Sequence, residues 1–210
     1  MDAGAWDERY AASELVWSAT PNQFVASELG DLPPGRALDL AAGEGRNALW
    51  LADRGWSVTA VDFSLAGLDK GRSLQERHDR ARDLQVDWVH ADVLSYEAGP
   101  TPFELSLLAY LQLPEDERHV AVRRAFTALD VGGTLLVVAH DSTNLTEGTG
   151  GPQSATVLYT AEDVLADLDG ERFEVERAER VERIVAAGDD HRGEPARTAY
   201  DCLVRVVRTA

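Results

Sequence analysis

Short apolar runs alternate along the chain with stretches whose apolar residues recur at helical spacing, and this alternation predicts strands separated by helices. Arg36 to Ala41 (RALDLA) reads as the first strand, entered through Pro33, Pro34 and Gly35. Ser57 to Asp62 (SVTAVD), Gln85 to His90 (QVDWVH), Phe103 to Ala109 (FELSLLA) and Thr134 to Ala139 (TLLVVA) read as the next four. The last of these is a nearly unbroken apolar run, the mark of a strand covered on both faces.

The stretches between them carry helix signals. Arg46 to Arg54 places Ala48, Leu49, Leu51 and Ala52 at helical spacing and stops at Gly55. Ser64 is placed to cap a helix whose inner face includes Leu65, Leu68 and Leu74. Pro114, followed by Glu115, Asp116 and Glu117, starts a helix running to about Leu129, because proline suits the first turn and acids suit its positive end. Gly132 and Gly133 then turn the chain into the fifth strand. Asp141 to Gln153 reads as a loop, and Thr160 with Asp163 as the capping box of a short helix ending near Leu168. Two final strands, from about Phe173 and about Tyr200, have only the polar stretch Gly188 to Pro195 between them and so predict an antiparallel hairpin.

The expected fold is therefore α/β: a Rossmann-like three-layer sandwich whose seven-stranded, mostly parallel sheet ends in an antiparallel hairpin. At 210 residues with 44% apolar content, the chain predicts one domain. Its expected parts are an N-terminal helical lid (1–32), a cofactor-binding core (33–139) and a C-terminal part of loop, short helix and hairpin (140–210).

Charge and cysteine content narrow the function. A formal net charge of -17, spread along the chain, repels phosphate backbones and argues against nucleic acid as a partner. No apolar run approaches the roughly 18 residues of a membrane span, and residues 1–10 lack an export signal. The single cysteine, Cys202, has no partner for an internal disulfide, which fits a reducing cytoplasm.

The chemistry concentrates in Asp39 to Ala48 (DLAAGEGRNA), which starts as a strand and ends as a helix. Gly43 and Gly45 permit a tight turn and close approach of a ligand, and the helix behind them offers free N–H groups. Asp62 closes the next strand, near the roughly 20-residue separation at which a carboxylate meets ribose hydroxyls. Together these predict an adenosine-containing ligand. GEGRNA alone also satisfies the Gly-x-Gly-x-x-Gly/Ala pattern of NAD-linked oxidoreductases, and an ordinary strand-to-helix turn is the plainest reading of the glycines by themselves.

With Asp39 before the turn and Asp62 after it, DLAAGEGRNALWLADRGWSVTAVDFS resembles the class I S-adenosylmethionine-dependent methyltransferases. It is particularly similar to their small-molecule branch, which includes tellurite-resistance-type and thiol methyltransferases. The family's first glycine is Ala41 here. The resemblance implies S-adenosyl-L-methionine as cofactor and an in-line methyl transfer to a small-molecule acceptor. It implies that Asp39 organises the methionine amino group, that the backbone of Ala41, Gly43 and Gly45 faces the methionine part, and that Asn47 lies in the same site. Asp62 would hold the ribose, Phe63 would lie against adenine, Asp92 with Val93 would receive the adenine amino group, and Ala109 and Tyr110 would border the sulfonium.

No catalytic residue is fixed by the sequence. Tyr110, Gln112 and His140, with Asp141 beside it, are the candidates, since all follow strand ends where ligands of open α/β sheets gather. His140 oriented by a nearby carboxylate could act as a base. Trp6, Tyr10 and Trp17 suggest a lid, with Trp17 reaching the cofactor, or else aromatics that close the core. Two other functions stay open: an NAD-linked oxidoreductase, against which the absence of a Tyr-x-x-x-Lys pair counts because Lys70 is the only lysine, and a cofactor-binding regulatory protein without turnover.

Overall fold

A seven-stranded sheet in the order β3-β2-β1-β4-β5-β7-β6 organises the computed structural model, which describes residues 3–12, 20–185 and 197–210. The strands are β1 (Arg36–Leu40), β2 (Ser57–Asp62), β3 (Val86–His90), β4 (Phe103–Ala109), β5 (Leu129–His140), β6 (Phe173–Val185) and β7 (Arg197–Arg208). The first five pair in parallel, while β7 lies antiparallel between β5 and β6. The α/β fold with a C-terminal antiparallel hairpin thus follows the expectation. Because β1 pairs with β2 on one side and β4 on the other, the chain direction across the sheet reverses there. In such sheets the crevice at the carboxyl ends of the two strands flanking the reversal, here β1 and β4, is the usual ligand position.

Helices cover both faces, as the apolar run of β5 requires. On one face α2 (Gln23–Leu29) and α3 (Arg46–Asp53) bury Phe24, Val25, Leu29, Ala48 and Leu51 against Leu105, Leu107 and Leu136. On the other, α5 (Glu115–Thr127) and α6 (Ala161–Asp167) bury Val122, Phe126, Val164 and Leu168 against Leu38, Leu40, Leu108 and Val137. The capping box of Thr160 and Asp163 is formed at the start of α6.

Three local readings change. Helix α4 (Leu65–Arg77) is capped by Ser64 as expected, but Leu65 is 47% exposed and the buried positions are Gly67, Leu68 and Gly71. The Trp88 ring from β3 takes the space a side chain at Gly71 would need, so two glycines share the inner face with Leu68. The Gly132–Gly133 pair lies within β5 rather than before it, where the pairing with β4 shifts register between Phe103 and Leu105. Helix α2 falls in the stretch expected to be a helical lid (1–32), and it packs Phe24, Val25 and Leu29 into the core. It is started by Asn22, whose side chain accepts hydrogen bonds from the amides of Phe24 and Val25.

At the N-terminus, α1 (Ala3–Ala11) stacks Trp6 on Tyr10 with ring centroids 5.4 Å apart, so both share one face as expected. Trp17 lies outside the described residues. Among those described, no helix is long and apolar enough to cross a membrane.

Candidate active site

The turn after β1 is built by backbone conformation. Ala41, Gly43 and Gly45 have φ of 61°, 56° and 75°, all in the left-handed region that glycine adopts without strain. Ala41 is the exception, and an alanine there costs roughly 1–2 kcal/mol. The glycines also have a packing reason that the sequence reading lacked. A Cβ on Gly43 would lie 2.5 Å from the Tyr10 hydroxyl, and one on Gly45 would lie 2.2 Å from the Trp88 ring. Helix α1 therefore covers one side of the turn. Asp7 holds it there by accepting from the Ser64 hydroxyl and the Ala66 amide, and Lys70 donates to the Tyr10 carbonyl.

Two carboxylates flank this turn. Asp39 is 1% exposed, and its Oδ2 has no hydrogen-bond partner among the described residues. Burial, helped by the neighbouring Asp62 charge, pushes its pKa up to about 7, against the opposing pull of Arg46 and the Ala48 amide. An acid in that state calls for a cation or a donor. Asp62 is raised too, chiefly by burial, although it accepts from the Gly43 amide at 2.7 Å and the Ser64 amide at 2.8 Å. Each of its oxygens keeps a second acceptor position, enough for a pair of hydroxyls.

The remaining expected cofactor residues lie along the same edge. Asn47 is buried at the start of α3, and its Oδ1 accepts the Asn22 amide at 3.0 Å. Phe63 is half-buried just past β2, and its carbonyl contacts His90 Nε2 at 3.0 Å. Asp92 is exposed, and its side chain caps its own turn by accepting the Leu94 amide at 2.9 Å. Val93 is half-buried against the core, as is Ala109 at the end of β4.

A second polar cluster sits at the carboxyl ends of β4 and β5. Tyr110, like Ala41, is left-handed with φ of 61°, so both sides of the crevice carry a strained residue, a pattern that concentrates at functional sites. Its hydroxyl donates to Asp201 Oδ2 at 2.7 Å and accepts from Asn22 Nδ2 at 3.2 Å. Arg183 from β6 donates to the same carboxylate through Nε at 2.7 Å and Nη2 at 3.4 Å. His140 Nδ1 lies 3.2 Å from Asp201 Oδ1, outside hydrogen-bond alignment, with its ring 4.8 Å from that of Tyr110. Burial alone would raise Asp201, but the contacts with His140, Arg183 and Tyr110 hold it below the usual carboxylate range. Tyr110 is pushed up by burial and by the Asp201 charge, so it stays a neutral donor.

These contacts sort the candidates. Gln112 is a strap: its Oε1 accepts the His140 amide at 2.7 Å, and its Nε2 donates to the Val157 carbonyl. Asp141 accepts from the Thr143 amide and hydroxyl, which starts a short 3₁₀ turn at Ser142–Leu145. The carboxylate beside His140 is therefore Asp201. Neither Asp201 nor Arg183 was legible in the sequence, because each is one charged residue in a long strand pair. Asn22 carried a signal, a helix-capping residue directly after Pro21.

Against known proteins, residues 37–133 match a family model described as "Methyltransferase domain". A demethylmenaquinone methyltransferase of Clavibacter sepedonicus is 28% identical over 125 residues, covering 60% of this chain and 47% of that protein. The match thus spans about half the length of that relative. Among solved structures, that described as "Conversion of a Disulfide Bond into a Thioacetal Group during Echinomycin Biosynthesis" superposes with a TM-score of 0.71 at 21% identity, covering 99% of this chain and 92% of that one. The N-methyltransferase NodS of Bradyrhizobium japonicum WM9, in complex with S-adenosyl-L-homocysteine, gives 0.70 at 15% identity over 99% and 98% of the two chains. The matched segment runs from β1 to the double glycine of β5 and so contains the turn and both flanking carboxylates. Residues 37–133 are thus similar in sequence to a methyltransferase domain, and the chain shares its fold with these solved structures.

Proposed function

We propose that this protein transfers the methyl group of S-adenosylmethionine to a small-molecule acceptor. The observation that carries the reading is Asp39, a sealed carboxylate with an unpartnered oxygen beside a left-handed backbone turn. An ammonium group on a ligand is the partner that the site lacks, and it would return Asp39 to its ionised form.

The other assignments follow from the same frame. Ala41, Gly43 and Gly45 present backbone to the methionine part, with Asn47 behind them at the start of α3. Asp62 has the spare acceptor positions for two ribose hydroxyls. Phe63 offers a face for adenine, and Asp92 and Val93 lie at the far end for its amino group. Ala109 closes the sulfonium side. When bound, the cofactor supplies an electrophilic methyl group on sulfur. The protein's part is to hold the acceptor in line with it and to exclude water. Tyr10 and α1, lying over the turn, serve the second task.

Isothermal titration tests the reading. S-adenosylhomocysteine should bind to the wild-type protein and lose at least tenfold in affinity on Asp39→Asn, with NAD giving no measurable heat. Tight binding of NAD in place of the nucleoside thioether would sink the proposal.

A further inference from the structure

We infer that His140 is the base of the transfer and that Asp201 is its positioning residue, so the acceptor is a nucleophile that arrives carrying a proton, such as a phenol, an enol or an amine. The inference rests on the methyltransferase reading and deepens it. Its starting point is an asymmetry of exposure. Asp201 is completely buried on β7, whereas the His140 side chain is 15% exposed while its Nδ1 is sealed. The ring therefore meets solvent through its other atoms and turns its Nδ1 edge to the carboxylate.

The surroundings hold the ring in that pose. A Cβ on Gly151 would lie 2.8 Å from both Cγ and Cδ2 of His140, so the Gly150–Gly151 turn presses on the imidazole from the loop side. Tyr110 flanks it on the other side. Below, Asp201 is fixed by Tyr110 and Arg183, so it cannot swing to follow the ring. The charged and titratable groups facing the cluster are Asp201 from β7, Arg183 from β6, Tyr110 from the end of β4, Arg46 from α3 and Asp141, next in the chain. The Asp201 carboxylate favours a proton on Nδ1, which leaves the lone pair on Nε2 for the acceptor. Asn22 ties this cluster to the cofactor turn, since its amide donates to Asn47 and its side chain to Tyr110.

The transfer step balances in charge. The acceptor's X–H bond breaks as its proton moves to His140 Nε2. The electron pair left on X forms the bond to the methyl carbon, and the carbon–sulfur pair stays with sulfur. The positive charge that begins on the sulfonium ends on the imidazolium, beside the Asp201 carboxylate. An acceptor that is already an anion needs none of this.

Nitrogen-15 histidine NMR on the full-length protein with bound S-adenosylhomocysteine tests the inference without a known acceptor. The His140 resonances are identified as those missing from His140→Gln, a variant whose S-adenosylhomocysteine affinity should match wild type. The expected result is a neutral ring protonated at Nδ1, and a loss of that preference in Asp201→Asn. With labelled S-adenosylmethionine and a panel of phenols, amines and thiols, His140→Gln should lower transfer to phenols and amines by roughly a hundredfold or more and abolish the acidic limb of their pH profile. Thiols at high pH should be affected far less. A wild-type ring protonated at Nε2, or equal losses for every acceptor at every pH, overturns the inference. Failure of the wild-type protein to bind S-adenosylhomocysteine would instead strike the methyltransferase reading.

Discussion

The two halves of the crevice are built in opposite ways. On the β1 side, Asp39, Ala41, Gly43, Gly45 and Asp62 come from one continuous stretch, and the site is largely backbone held in left-handed conformations. On the β4 side, Asn22, Tyr110, His140, Arg183 and Asp201 come from five distant places and meet only because β7 inserts beside β5. The first half depends on local geometry and the second on the completed sheet. Mutations should therefore act on binding in one half and on stability together with turnover in the other.

The sharpest way to break that contrast is Asp201→Ala. Removing a buried carboxylate strands Arg183 and the Tyr110 hydroxyl, so urea unfolding should show a loss of about 3–5 kcal/mol. A near-neutral effect would mean that the cluster is not a unit.

Asp39→Asn should do the reverse to the free protein. Because the folded-state pKa of about 7 lies above the ordinary value of 3.8, ionising Asp39 costs folding free energy. That cost is absent below the ordinary carboxylate pKa, grows as pH rises, and is complete above about 7. The asparagine variant should thus be more stable than wild type at pH 8, by on the order of 2–4 kcal/mol, with the gain shrinking toward pH 4. Equal gains at both pH values would refute a shifted Asp39.

Asp62 sharpens the comparison within the first half. Asp62→Ala orphans the Gly43 and Ser64 amides, and calorimetry should show S-adenosylhomocysteine binding weakened by about 1–3 kcal/mol. Asp62→Asn, which keeps one acceptor oxygen, should lose less. Were the two variants indistinguishable, the carboxylate would matter for its charge and not as a brace for the turn.

The smallest effect is expected at Ala41. Ala41→Gly relieves a left-handed alanine and should raise thermal stability by about 0.5–1 kcal/mol after the added freedom of glycine in the unfolded chain is counted. A destabilised glycine variant would show that the alanine methyl packs usefully against its surroundings.

These differences explain what the sequence could convey. Asp39, the glycines and Asp62 are fixed by local spacing, since a strand end, a tight turn and the next strand end each leave a mark in a short window. The strands were also located, the central β1 and β5 because apolar runs follow directly from burial on both faces. Periodicity erred in α4, where Leu65 is exposed and the inner face includes Gly71, against which the Trp88 ring from another strand packs. His140 was recognisable as a residue at a strand end, but its partner was not, because the register that sets His140 opposite Asp201 belongs to the β5–β7 pairing. Sequence spacing says nothing of that register.

The place of β7 also bears on how the molecule is made. Synthesis delivers β6 before β7, yet β7 must slide between β5 and β6. Until it arrives, the edge of β5 from Thr134 to His140 has no neighbour on that side, and β6 has no strand to pair with. A nascent chain halted before Arg197 would hold the whole glycine turn and yet lack Asp201. The capacity to grip a nucleotide and the capacity to use it should consequently emerge from the ribosome at different times, with a sticky sheet margin exposed in between.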